Sequence, residues 1–269
     1  MTSDHATYTH GHHASVLRSH NHRSVADSAA YLVPELKPGL HLLDVGAGPG
    51  TITVDLARRL VSGRVTALET NAAALDLSRQ EAARQGVANI DFAVGNVEAL
   101  DFADATFDIV HAHQVLQHVG DPVAALREMR RVCKPGGIVA ARDADYAGFV
   151  WYPALPALDD WMRLYQAAAR ANGGEPNAGR RLMAWAREAG FTDVAPTSST
   201  WCFATPELRA WWGGMWAERI LKSRIADQLL ESELATQADL ERISQAWKQW
   251  AASPDGWLSL LHGEIICRV

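Results

Sequence analysis

Short apolar runs alternate with helical stretches through the first half of the chain. Leu42 to Val45 is apolar but too short for a helix. It breaks into small residues and resumes at helical spacing from Thr51 to Leu60, which predicts strand, tight turn and helix. The same reading gives a strand at Arg64–Leu68, a helix at Ala72–Gln85 stopped by Gly86, and strands at Asn89–Val94 and Phe107–Ala112. Asp121 and Pro122 then open a helix over Val123–Val132, and Lys134–Gly137 turns into a strand at Ile138–Ala141. The alternation points to a doubly wound, mostly parallel sheet.

Past residue 148 the alternation is interrupted. Trp151–Arg170 reads as an inserted helix, 172–177 as a loop, Ala178–Ala189 as a helix and Phe191–Phe203 as a strand. Pro206–Ala252 is a second helical insertion with an apolar face at Leu208, Trp211, Trp212, Met215 and Trp216, and Trp257–Arg268 is a final strand. Before the first strand, Val16–Leu36 predicts one or two amphipathic helices ending near Pro34. The expected division is an arm and lid helices over 1–40, a core over 41–148, 177–205 and 257–269, and caps over 149–176 and 206–256.

At 269 residues the chain can bury a substantial core, and one domain with an embedded cap fits it better than a plain α/β domain. A formal charge of −6 with no basic block argues against nucleic acid as the principal partner and favours a small molecule. Whether the chain forms a homodimer is left open. Cys133, Cys202 and Cys267 are too few and too scattered for a disulfide framework or a CxxC metal site, which suits a reducing compartment. The first 13 residues are polar and rich in histidine, unlike a secretory signal, and no run reaches membrane-spanning length, so no membrane insertion and a cytoplasmic location are expected. The histidines up to residue 22 suit a solvated arm or a weak metal binder. No acid or cysteine stands at a ligand spacing from them, so no metal site is expected.

The candidate chemistry gathers at the first turn. Gly46 and Gly48 can adopt backbone angles closed to other residues and let a ligand lie against the main chain beside a helix N-terminus. Glu69 ends the next strand about twenty residues on, where doubly wound folds hold an acid for ribose hydroxyls. The turn lacks the lysine of a triphosphate-binding loop. Glycines that merely let helix pack on strand are the competing reading.

Leu42–Thr51, Glu69, the Phe107–His113 strand and the Arg130–Gly137 segment resemble, in order, the motifs of class I S-adenosylmethionine-dependent methyltransferases. The resemblance is greatest to the ubiquinone/menaquinone-biosynthesis-type branch (methyltransferase domain 11/25-like) and covers roughly residues 40–145. It implies a Rossmann-like, doubly wound, mostly parallel seven-stranded α/β sheet with an N-terminal helical lid and helical cap insertions. It also implies S-adenosyl-L-methionine as cofactor and S-adenosyl-L-homocysteine as product. Gly46, Ala47 and Gly48 would lie under the methionine part, Glu69 and Thr70 at the ribose, and Asn96 and Val97 at the adenine. Asn96 stands where the family commonly has aspartate, and its amide oxygen can still accept. Tyr8, His13, Arg18 and Arg23 fall in the lid and are candidates for the cofactor carboxylate or the acceptor, with surface placement the alternative.

His113 and His118 follow a strand whose C-terminal end faces the ligand crevice of such sheets. His113 is assigned to the cofactor, with orienting the acceptor, acting as a base or a purely local hydrogen bond as the alternatives. A base helps when the acceptor is a hydroxyl, a protonated amine or a carbon acid, and His118, His13, Asp143 and Asp145 are the candidates. Trp151, Tyr152, Trp212 and Trp216 are candidates for a pocket taking a flat or apolar acceptor, with core packing the competing role. The expected activity is in-line methyl transfer to a small, aromatic or apolar, secondary-metabolite-type acceptor. An NAD-dependent oxidoreductase and a non-catalytic binding protein on the same scaffold are the alternatives.

Overall fold

A computed structural model describes residues 23–269. The described chain opens with α1 (Val25–Ser28), whose first turn is closed by a reciprocal capping box between Ser24 and Asp27. A 3₁₀ turn at Ala30–Glu35 follows, with Pro34 inside it. Val25 is fully buried and its N–H donates to Asp55 Oδ2 at 2.8 Å, fixing this segment to the body.

The predicted alternation follows: β1 (His41–Val45), α2 (Thr51–Arg59), β2 (Arg64–Glu69), α3 (Ala72–Arg84), β3 (Ile90–Val94), β4 (Phe107–His113), α4 (Pro122–Val132) and β5 (Cys133–Ala144). Strands β1 to β5 pair in parallel. Neighbouring apolar residues serve opposite faces: Leu42 packs in the cluster of α2 and α3, Leu43 in that of α4, and both are fully buried. The fifth strand is longer than its apolar run suggests. Cys133 pairs with Phe107 and pairing resumes at Ile109 with Ile138, so Lys134–Gly137 bulges out within the strand.

The second half contributes β6 (Val150–Tyr152), α5 (Pro156–Ala171), α6 (Leu182–Glu188), β7 (Asp193–Phe203), α7 (Pro206–Lys222), α8 (Arg224–Glu231), α9 (Gln237–Ala252) and β8 (Trp257–Arg268). The eight strands occupy seven lanes. Ile265 of β8 faces Ala141 of β5 on one side and Pro196 of β7 on the other, whereas Leu258 faces Trp151 of β6 and Phe203, so β6 continues the lane of β5. Trp151 and Tyr152 therefore stand on a strand and not in the expected helix: β8 overshoots β5 and offers its unpaired edge to whatever extended segment comes next.

Helices α5, α7, α8 and α9 close a separate apolar core over the sheet's C-terminal ends. Trp161 lies edge-on to Trp216 and Trp247, with ring centroids 4.7 and 4.9 Å away. Edge-to-face pairs of this kind add about 0.5–1.5 kcal/mol each to the burial of their area. Packing thus explains much of the aromatic content. No helix among the described residues is long and apolar enough to cross a membrane.

Candidate active site

After Val45 the chain reverses through Gly46, Gly48 and Gly50, all with φ between +55° and +86°. A side chain at Gly46 would meet Val115 Cγ2 at 2.5 Å, and one at Gly50 would overlap Ser78. These two glycines admit neighbouring protein, the role of the competing reading. The turn's amides are aimed at β2: Gly46 and Ala47 both donate to the Leu68 carbonyl, at 2.8 and 3.1 Å. Gly48 N–H donates to Glu69 Oε1 at 2.8 Å, and Thr70 N–H to Glu69 Oε2 at 3.1 Å. Two amides thus orient the carboxylate at the end of β2.

A cavity of about 780 Å³ starts at this turn, within the range of small-molecule sites. Its wall brings together Arg23, Gly46, Ala47, Gly48, Glu69, Thr70, Asn96, Val97, His113, His118, Trp212 and Trp216 from the residues singled out in the sequence. Asn96 Oδ1 already accepts from Glu98 N–H at 3.0 Å, which leaves it one lone pair. Tyr8, His13 and Arg18 lie outside the described residues.

Four selected residues are not on the wall. Asp143 is fully buried behind it, where Oδ1 accepts from Gln117 N–H at 3.1 Å; burial raises its pKa to about 7. Asp145 is buried against Arg180, whose Nε donates to Oδ2 at 2.6 Å. Asp143 Oδ1 holds loop backbone and Asp145 holds a cation, while Asp143 Oδ2 has no hydrogen-bond partner among the described residues. Trp151 packs against the cap core and Tyr152 is exposed, as their place on β6 requires.

The two histidines differ. Burial, then the nearby Arg23 cation, pushes the His118 pKa down to about 3, and its Nε2 lies 3.0 Å from Gln117 Nε2. It is a neutral ring that accepts from an amide, too weak for the base assigned to it. His113 is buried in the cavity wall with no hydrogen-bond partner for either ring nitrogen. Burial, then Arg142 and Arg23, holds its pKa well below the ordinary 6.5, so it too is neutral.

Other wall residues carry no legible signal in the sequence. Gln114 has φ +55°, an uncommon conformation for a residue with a side chain. Its Oε1 accepts from Arg23 Nη2 at 2.9 Å and its Nε2 lies 2.9 Å from His262 Nε2. His262 Nδ1 is 3.0 Å from the Leu260 carbonyl, which can only accept. The proton therefore sits on Nδ1, and Nε2 accepts from Gln114. Trp201 lies between two guanidinium groups, with Arg23 Cζ 5.4 Å and Arg142 Cζ 5.0 Å from its ring centroid. Tyr146, Phe149, Arg219 and Leu260 complete the wall opposite the glycine turn.

A family model for the methyltransferase domain matches residues 36–190, more than half of the 269. An "uncharacterized methyltransferase" of Schizosaccharomyces pombe is 35% identical over 274 residues, covering 98% of this chain and 97% of the relative. A "probable methyltransferase ltbC" of Aspergillus luteorubrus is 32% identical over 280 residues, covering 96% of each. Among solved structures, phosphoethanolamine N-methyltransferase 2 of Haemonchus contortus, held with phosphomonomethylethanolamine and S-adenosylhomocysteine, superposes with a TM-score of 0.56. It is 18% identical, and the match covers 89% of this chain and 52% of that one, a likeness of fold.

Proposed function

The chain belongs to the methyltransferase-domain family, and from that premise we propose that it methylates a small aromatic or apolar organic acceptor. S-Adenosylmethionine is its methyl donor and supplies, when bound, a methyl group on a sulfonium, with S-adenosylhomocysteine as leaving group. The observation that carries the acceptor reading is the continuity of one cavity from the glycine turn and Glu69 to the rings of Tyr146, Phe149, Trp201, Trp212 and Trp216. The oxidoreductase alternative falls with the family.

The residues present fit the cofactor. Glu69, held by two amides, would accept from both ribose hydroxyls. The free lone pair of Asn96 would accept from the adenine amino group while buried Val97 covers the ring. Gly46, Ala47 and Gly48 would lie beneath the methionine part. Arg23 is the described lid residue on this wall and would face the cofactor carboxylate.

Since the sulfonium already carries a good leaving group, the neutral thioether, the protein's task is to place the nucleophile and exclude water. The rings hold a flat acceptor by area and edge contacts. Among the described wall residues, His113 is the neutral polar group with both nitrogens available, and we assign it to orienting the acceptor's nucleophilic atom. The test is calorimetry with S-adenosylhomocysteine, followed by transfer of labelled methyl to a panel of small aromatic compounds. Submicromolar to micromolar cofactor binding with turnover of a ring-bearing acceptor is expected. Cofactor binding without transfer to any member would leave a binding protein, and transfer only to non-aromatic members would remove the acceptor assignment.

A further inference from the structure

Methyl transfer to a neutral hydroxyl requires a group that takes up its proton, and the described cavity wall does not offer one. The three carboxylates on that wall stand at or just past the ends of β1, β2 and β3, on the cofactor side, and their oxygens are in use. Asp44 Oδ2 accepts from the Thr53 hydroxyl at 2.6 Å, and Oδ1 lies 2.9 Å from His111 Nδ1. Glu69 accepts from the amides of Gly48 and Thr70, and Glu98 from the Asp121 N–H and the Asn96 side-chain amide. Asp143 and Asp145 lie off the wall.

The nitrogen bases of the wall are His113, His118 and His262. Gln117 Oε1 accepts from the Ala144 N–H at 3.2 Å, so its amide presents an N–H to His118 Nε2 and occupies that lone pair. His262 is fixed in the same way: Nδ1–H donates to Leu260 and Nε2 accepts from Gln114, whose Oε1 accepts from Arg23. A proton on His262 Nε2 would face the Gln114 N–H, and turning that amide would set its NH2 against the Arg23 guanidinium. His113 has no partner for either nitrogen among the described residues. The charged groups near it are Arg142, which reaches Glu264 at 3.2 Å, and Arg23, with His262 and His111 beside them. Burial and these cations keep it neutral, with one N–H to give.

We infer that the methyl acceptor enters the cavity already ionised, as the oxyanion of an acidic ring hydroxyl, and that the His113 N–H holds this oxygen. The hydroxyl proton is lost to water before binding. An oxygen lone pair forms the O–C bond, the C–S pair goes to sulfur as the thioether, and the negative charge of the oxygen cancels the positive charge of the sulfonium. A hydrogen bond from a neutral N–H to an oxyanion is charge-assisted, and His113 keeps its proton throughout. The inference rests on the proposed function and narrows its substrate class to phenols whose ring substituents make them acidic enough to ionise near neutral pH.

The experiment uses the full chain and three probes: 4-nitrophenol, an acidic phenol; 4-methylphenol, an ordinary one; and 1,3-cyclohexanedione, an acidic enol without an aromatic ring. With S-adenosylhomocysteine bound, absorbance should show 4-nitrophenol held as the phenolate at about one pH unit below the midpoint of the free compound, a shift of about ten-fold in its ionisation. With S-adenosylmethionine carrying a labelled methyl, the pH at which kcat/KM levels off should follow the probe. For 4-nitrophenol it should level off near neutrality. For 4-methylphenol, whose hydroxyl ionises near the tyrosine value of about 10, it should climb about ten-fold per pH unit from about pH 7 to about pH 9. His113→Phe should abolish the absorbance shift, and Asp143→Asn should leave both profiles in place. If His113→Phe does not fold, the wild-type spectrum and profiles decide. Binding of 4-nitrophenol in its neutral form, levelling-off at one pH common to both phenols, or a profile displaced in Asp143→Asn each overturns the inference, the last two because the chain then supplies the base. The two readings fail differently. Levelling-off at a common pH leaves the aromatic acceptor standing and removes entry as an anion. Transfer to 1,3-cyclohexanedione as fast as to 4-nitrophenol leaves entry as an anion and removes the ring, and no binding of any probe removes both.

Discussion

Single residues divide into those that would meet a ligand and those that hold the frame, and substitution separates the two. Glu69→Ala should weaken S-adenosylhomocysteine binding by about 1.5–3 kcal/mol, the worth of charged hydrogen bonds, in titration calorimetry. Unchanged affinity would take Glu69 out of the cofactor site. Asp143 predicts a different outcome, one of stability and not of binding. Burial raises its pKa from the ordinary 3.8 to about 7, so the folded protein binds a proton that the unfolded chain releases. The stability this proton contributes is complete below about pH 4 and is lost as pH rises through about 7. Asp143→Asn keeps an oxygen for the Gln117 amide and removes the titration. The unfolding temperature of wild type should therefore fall relative to the variant between about pH 4 and about pH 7, and a difference that does not change with pH would assign the titration elsewhere.

At the level of elements, α7 and β6 carry opposite expectations for their tryptophans. Trp212→Ala should raise the acceptor KM about ten-fold, the scale of one lost ring contact in a desolvated pocket, and leave the cofactor KM unchanged. Trp151→Ala should lower stability by about 1–2 kcal/mol for its partly buried area and leave both KM values alone. Steady-state kinetics with each substrate varied in turn, beside thermal unfolding, checks the pair. If Trp151→Ala moves the acceptor KM, the cavity extends to β6. The elements legible in the sequence are those whose pattern is long enough to show a period, from β1 to α4 and again at β7 and β8, together with the glycine turn and Glu69 that β1 and β2 position. The short β6 is not among them, because three aromatic or branched residues suit a strand or a helix alike and only the free edge of β8 decides. Asp143 and Asp145 lie off the wall for a related reason: the strand end is readable, but the wall beside it is built by Gln114, Val115 and His118 and by distant Trp201 and His262. Nothing local in the chain marks Gln114 for its left-handed backbone or pairs it with His262.

For the molecule as a whole, the N-terminal segment and the cavity are mechanically joined. Arg23 Nη2 reaches Gln114, and the Trp201 indole N–H donates to the Asp27 carbonyl at 2.8 Å, so the residues around α1 touch two parts of the wall. The anchoring at Ser24, Val25 and Asp55 begins after residue 22. A protein lacking residues 1–13 should therefore stay folded and bind S-adenosylhomocysteine while losing most of its turnover. Thermal unfolding and kinetics test this together, and full activity in the shortened chain would show that those residues are not part of the working lid. The placement of β8 reaches further, into the way the chain is made. It lies between β5 and β7, both of which leave the ribosome before it, and it supplies Leu260 and His262 to the cavity. A nascent chain can pair its first five strands, glycine turn included, while the lane for β8 stands empty, with β7 unable to join the sheet. Translation stalled before residue 257 would thus leave a cofactor cradle with no acceptor wall, an exposed strand edge on either side of the gap, and a chain that invites chaperones before it can methylate anything.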